Sequence, residues 1–257
     1  MDGTLLDART FEPGPNRAAI RRLTDAGVPV IPVTVMTLDE MAPIAADLGL
    51  QHAMIVEAGG AIARWNGSAW DVEAFGPPAE TLLDVVLEIE KRSGANLLVY
   101  SALRESEAAR LSGRSGAMLQ ASTHRSFSEP FVIENGDLDA VKRAAASLGF
   151  SVRRGRRFFH LCRACDEGEA FLRLHEELQC DVAIALGGVA VDVDFLSRSD
   201  VPIIVPGPDG QPDAELLANI TNARVAPSPA PRGWATAIDE VWQLVEGPRR
   251  RARRVSA

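Results

Sequence analysis

The chain has 257 residues, 46% hydrophobic and 24% charged, enough apolar content to bury one large core or two smaller ones. Its formal net charge of −8 argues against a nucleic-acid partner, and no apolar run is long enough to cross a bilayer. The start lacks a basic-then-apolar secretory pattern, and three cysteines make no disulfide framework. A cytoplasmic protein without a membrane or nucleic-acid partner is the expectation, with oligomeric state left open.

The chain opens MDGTLLD, the kind of stretch that leaves a strand for a loop. GPNRAAIRRLTDAG predicts a helix, with Pro15 in its first turn, Ala19, Ile20 and Leu23 on one face, and Gly27 as the stop. VPVIPVT is a β-branched run ending at Thr34, long enough for one buried strand, whose Pro29 and Pro32 predict irregular pairing. LDEMAPIAADLG predicts a second helix capped by Gly49, with Pro43 in its early part. HAMIVEAGG follows as a buried strand, then AIARWNGSAWDVE as a hairpin around Asn66-Gly67.

The pattern changes at FGPPAE, a hinge built on Gly76, Pro77 and Pro78. AETLLDVVLEIEKRSG predicts a helix, and NLLVY, EPFVIE, FSVRR and RFFHL predict strands, with the helix LDAVKRAAASLG among them. From Asp166 strands and helices alternate again: helix EAFLRLHEEL, strand VAIAL, helix VDFLSR, strand VPIIVP, helix GWATAIDEVWQLV. Such alternation implies right-handed crossovers and an α/β core with a doubly wound parallel sheet. The core would span 1–76 and 163–247, with an α+β insert at 77–162 and a basic, solvated tail at 248–257.

DGTLLD, VIPVT, IVEAGGAI, HRSFSEPF, RFFHL with DEGEA, IALGG with its following Asp, and PRGW together run over nearly the whole chain. In this order they resemble the haloacid dehalogenase (HAD) superfamily of phosphatases, most of all the mannosyl-3-phosphoglycerate phosphatases of the large-cap, Cof-like branch. The resemblance implies a HAD-like core with an inserted cap, magnesium as cofactor, and a small phosphorylated sugar-glycerate as substrate. It implies an aspartyl-phosphate intermediate, formed by a carboxylate two places before Asp2. Asp2 would then be the acid/base, its carbonyl facing the magnesium, and Gly3 would let the phosphoryl group approach the backbone. Thr34 would hydrogen-bond a phosphoryl oxygen. Arg125, Ser128 and Glu129, with His124, would belong to the cap segment that grips substrate. Asp192 would be the surviving carboxylate of the metal loop.

The chain departs from that pattern at several places. The attacking carboxylate would fall before Met1, and the central strand with it; a sheet without that strand exposes two edges, so the coding sequence is expected to begin upstream. Glu167 replaces the lysine that neutralises the transferred group, which reverses the local charge. Gly188 replaces the main magnesium carboxylate, Val191 an asparagine, and Val35 and Met36 stand where polar residues are usual. A phosphatase that is impaired or inactive as it stands is the expectation. The alternative is a degenerate pseudophosphatase that binds a ligand or a protein partner without turnover.

Singly, the residues carry blander readings. Asp2 reads as a turn aspartate, Thr34 as a strand-end threonine, and His124 to Glu129 as a surface turn. Arg156 and Arg157 are similar candidates for holding an acidic substrate, with solvated charge as the favoured reading. HLCRAC, with His160, Cys162 and Cys165, reads as a strand end with small buried thiols rather than zinc, which needs a second pair of ligands.

Overall fold

Helix α1 (Asn16–Asp25) forms where the sequence places it: Ala19, Ile20 and Leu23 are buried on one face, and Gly27 ends the turn at φ +74°. Helix α2 (Leu38–Leu48) starts in a capping box: Thr37 Oγ1 accepts the Glu40 N–H at 3.1 Å, and the Glu40 carboxylate accepts the Thr37 N–H at 2.9 Å. Gly49 closes it in the left-handed region, and Pro43 lies inside the helix. These contacts belong to a computed structural model that describes residues 1–163 and 167–242.

Between the two helices the predicted strand at 28–34 reduces to a single parallel bridge, Val33 with Ile55. Pro29 and Pro32 have no N–H to donate, so a continuous ladder cannot form. The Pro32 carbonyl still accepts the Ile55 N–H at 2.8 Å, and Ile55 accepts the Thr34 N–H at 3.0 Å. These two bonds place Thr34 at the end of β1 (Ala53–Val56), whose residues are all buried. Strands β2 (Ala61–Trp65) and β3 (Trp70–Ala74) complete an antiparallel ladder in the order β1-β2-β3. Asn66 makes its turn, Oδ1 accepting the N–H groups of Ser68 and Ala69 at 3.0 and 2.9 Å.

Past the hinge, the chain builds a second sheet. Helix α3 (Ala79–Ser93) leads to β4 (Asn96–Val99), two short helices, α4 (Glu105–Ser112) and α5 (Gly116–Thr123), then β5 (Glu129–Asn135). Helix α6 (Leu138–Ser147) and strands β6 (Phe150–Arg154) and β7 (Phe159–Arg163) follow, giving an antiparallel sheet in the order β4-β5-β7-β6. Leu82, Val86 and Ile89 of α3 and Val141 and Ala145 of α6 cover one face, against Leu97, Phe131 and Leu161. Tyr100, Ala108, Leu119 and Phe158 cluster separately around α4 and α5. Neither α4 nor α5 is expected from the sequence, because GAMLQAST has almost no apolar period.

The last third returns to parallel pairing. Helix α7 (Glu167–Leu178), β8 (Ile184–Gly187), a four-residue α8 (Val193–Leu196), β9 (Val201–Ile204), α9 (Ala214–Asn219) and β10 (Arg224–Val225) precede a helix that includes 232–242. The parallel ladder runs β10-β9-β8, so the α/β class holds. The sequence does not foresee α9 or β10, both short, and the helix read from VDFLSR shrinks to α8. Met54, Val56, Ala61 and Ala63 from the first ladder join α1, α2, Trp234 and Ile238 in one cluster, with Ile184 and Leu186 of β8 packed on it. Among the described residues no helix is long and apolar enough to cross a membrane. Cys165, Asp166 and the basic tail at 248–257 lie outside the described residues.

Candidate functional site: an arginine-lined cleft between the core and the insert

Asp2, Thr34, Arg125 and Asp192 line one cleft, together with Arg114, Arg156 and Arg157 from the insert. The resemblance names four of these residues, and chain folding brings them together. Thr34 reaches the cleft because its backbone is pinned to β1; its Oγ1 accepts the Met36 N–H at 3.1 Å, which leaves its O–H to donate into the cleft. Asp2 is in a tight turn where Gly3 takes φ +72°. A Cβ at Gly3 would collide with the Arg156 guanidinium, which lies across this turn and donates from Nε to the Asp2 carbonyl at 3.4 Å. Gly3 thus admits an arginine to the backbone.

Charge is concentrated here. The Asp2 carboxylate faces two guanidinium groups, Oδ2 standing 3.6 Å from both Arg114 Nη2 and Arg157 Nη1. Asp2 Oδ1 and Arg156 Nη2 are buried without a hydrogen-bond partner among the described residues. Arg157 also donates to the Ala8 carbonyl, and both Arg114 and Arg157 lie over the Phe11 ring, at 5.3 and 5.5 Å from its centroid. Phe11 itself adopts φ +59°. The reading of Arg156 and Arg157 as solvated charge therefore fails: both line the cleft, and the Arg157 side chain is only 22% exposed. Burial lowers the Arg157 pKa, an effect the nearby Asp2 carboxylate opposes.

Arg125 is almost fully buried and tightly held. It donates from Nε and Nη2 to Ser128 Oγ at 3.0 and 2.7 Å, and from Nη2 to the Val35 carbonyl at 2.6 Å. Ser128 and Glu129 are buried behind it rather than open to the cleft. Burial raises the Glu129 pKa, partly countered by the hydrogen bond from Ser101 N–H. His160, fully enclosed, has its pKa pushed down to about 3 by burial and by the charges of Arg125 and Arg114, so it is neutral at pH 7. The sequence gives no sign of Arg114; only the α4–α5 turn carries it to the cleft, where its Nε donates to the buried Glu40 carboxylate.

Magnesium favours near-octahedral oxygen ligation. Here Asp192 Oδ2 accepts the N–H groups of Gly188 and Val189 at 2.6 and 3.0 Å, and the Asp2 carboxylate faces arginines. Burial raises the Asp192 pKa, opposed by the Met1 amine and the hydrogen bonds from Gly188 and Val189. Gly188 adjoins the Asp2 turn, yet a Cβ there would stand 2.9 Å from the Val205 carbonyl oxygen and 3.2 Å from Thr4 Oγ1. Among the described residues no group of three or more His, Cys, Asp or Glu is placed to hold a metal. The described residues do not fit a resident magnesium ion. Glu167 is buried in the first turn of α7 and does not line the cleft.

No family model matches the sequence. Curated relatives do, two of them named glucosyl-3-phosphoglycerate/mannosyl-3-phosphoglycerate phosphatase. The protein from Persephonella marina is 24% identical over 263 residues, covering 95% of each chain. That from Methanococcoides burtonii is 26% identical over 256 residues, covering 93% of each. Among solved structures, a HAD subclass IIB sugar phosphatase superposes with a TM-score of 0.68 at 12% identity, over 94% of this chain and 96% of that one. A Bacteroides thetaiotaomicron protein described among the phosphatases of the HAD superfamily gives 0.68 at 14% identity, over 93% and 92%. The chain therefore has the fold of the haloacid dehalogenase superfamily and resembles, over nearly its whole length, the glucosyl- and mannosyl-3-phosphoglycerate phosphatases.

Proposed function

We propose that this cleft binds a small phosphorylated sugar-glycerate and that its residues, as they stand, support hydrolysis of the phosphate ester weakly or not at all. The observation that carries the reading is the convergence of four guanidinium groups, Arg114, Arg125, Arg156 and Arg157, on a single cleft of a chain whose net charge is −8. Lining carboxylates number two, Asp2 and Asp192. A phosphate monoester carries about −1.5 to −2 at neutral pH and a glycerate carboxylate adds another negative charge, a combination that suits several arginine forks. Arg156 Nη2, buried and unpartnered, is a donor awaiting such an oxygen, and the Thr34 O–H is a second.

Asp2, with a buried oxygen that accepts no hydrogen bond, is the group placed to pass a proton to or from a leaving oxygen. The described residues of 1–76 and 167–242 act as the core and 77–162, with the Arg163 end of β7, as the cap, which contributes all four arginines. Impairment is supported by Gly188, where a side chain has no room, and by Asp192, whose carboxylate is committed to two backbone N–H groups. Losing one oriented electrostatic group typically costs about 10² to 10³ in turnover. The second reading, a binding module without turnover, rests on these same two residues.

Calorimetric titration with mannosyl- and glucosyl-3-phosphoglycerate, paired with a phosphate-release assay with and without magnesium, tests the proposal. Binding accompanied by slow or no release is the expected result. Rapid release would overturn the impairment, and absence of binding to either compound would overturn the reading as a whole.

A further inference from the structure

Glu57 and Ala58 are consecutive non-glycine residues in the left-handed region, at φ +51° and +56°. Such backbone persists only where its surroundings hold it, and it concentrates at functional sites. Two hydrogen bonds hold it here: the Glu57 N–H donates to the Met36 carbonyl at 2.9 Å, and the Ala58 N–H to the Thr34 carbonyl at 3.0 Å. The bend is thus fastened to the strand end that carries Thr34.

The bend sends the Glu57 side chain, 3% exposed, out of the core and into the insert. Its carboxylate accepts the Ser126 N–H at 3.0 and 3.2 Å, the Phe127 N–H at 3.0 Å and the Ser128 O–H at 2.9 Å. Arg125 Nε lies 3.8 Å from Glu57 Oε2 and reaches it through Ser128 Oγ. Gly60, three residues on, lets the segment close: a Cβ there would come 2.5 Å from Phe127 Cβ. A single carboxylate therefore gathers four donors or cations of one turn, a set that no neutral side chain satisfies.

We propose that Glu57 is a positioning residue that fixes Arg125 of the insert relative to Thr34 of the core, so that both meet the ligand from a preset separation. The proposal rests on the anion-binding reading of the cleft for its consequence, but not for its geometry. Ser128 is the relay: it donates to Glu57 and receives Arg125.

The test uses the full chain with Glu57→Gln and Ser128→Ala. Affinity for 3-phosphoglycerate is read by calorimetry, and the Arg125 Nε–H resonance by NMR on arginine-labelled protein, assigned with Arg125→Lys. Both variants are expected to move the Arg125 resonance to an exposed, fast-exchanging position without ligand. Affinity should fall about 10- to 100-fold, the worth of one charge-assisted hydrogen bond. An unmoved resonance in either variant overturns the proposal, as does unchanged affinity in both. Should Glu57→Gln fail to fold, Ser128→Ala, which keeps the carboxylate, decides alone. Should the unaltered protein not bind 3-phosphoglycerate, the anion-site reading fails while the resonance still decides whether Glu57 holds Arg125.

Discussion

Arg114 and Glu40 form a buried pair that joins the insert to the core: the guanidinium, 8% exposed, donates to a carboxylate that is fully buried. Glu40 simultaneously closes the capping box of α2, and Arg114 faces Asp2. Anchoring a helix turn of the insert, the start of α2 and the Asp2 carboxylate around one ion pair makes this contact costly to break. Removing one partner leaves the other charged and dry. Arg114→Ala should therefore destabilise the protein by about 3 to 5 kcal/mol, measured by urea denaturation. Arg114→Met with Glu40→Gln should recover most of that loss, since Gln still completes a capping box. Equal losses in the single and double variants would show that the charge pair is not what holds the contact.

Arg156 behaves oppositely. Its Nη2 is buried without a partner, and its contact with the Asp2 carbonyl is long. Arg156→Ala should leave the melting temperature nearly unchanged, because little native bonding is lost. It should weaken binding of a phosphorylated glycerate about 10- to 100-fold, as expected for a charge-assisted hydrogen bond. Calorimetry and thermal melts on one preparation separate the two effects. A large fall in melting temperature at constant affinity would make Arg156 structural.

His160 makes the fold acid-sensitive. Its folded pKa is depressed from 6.5 to about 3. As pH falls below 6.5 the unfolded chain takes up a proton that the folded chain refuses until about pH 3, so stability is complete above this window and is lost progressively within it. His160→Gln should flatten the dependence of unfolding free energy on pH across that interval. Parallel curves for the two proteins would remove His160 as the cause.

Gly188 has no room for a side chain as the loop stands. A Cβ placed 2.9 Å from the Val205 carbonyl oxygen requires a backbone shift. Gly188→Asp should cost about 1 to 3 kcal/mol, the usual range for overpacking. Magnesium-dependent phosphate release should not appear with it. A variant that kept full stability and gained magnesium-dependent turnover would mean that the loop adapts and that the site lacks only this one carboxylate.

Much of the local structure was legible from residues a few positions apart. The face of Ala19, Ile20 and Leu23, the Asn66 turn and the glycine stops are all set by spacing and backbone chemistry within one element. The prolines at 29 and 32 likewise foretold irregular pairing before Thr34, though the expected strand reduces to one bridge. Short elements escaped: α4, α5, α9 and β10 are too brief for a period to emerge, and tertiary packing forms them.

What the sequence determined by itself was therefore the alternation of elements, the insert between them, and the candidacy of Asp2, Thr34, Arg125 and Asp192. The tertiary structure alone decided which charges are enclosed in the cleft. An arginine reads the same in sequence whether it is solvated or enclosed. Only the folding of distant segments showed that Arg114, Arg156 and Arg157 converge on Asp2, that Glu57 reaches into the insert, and that Glu167 does not line the cleft. The physical reason is that burial and charge pairing depend on separations through space, and local periodicity carries no record of them.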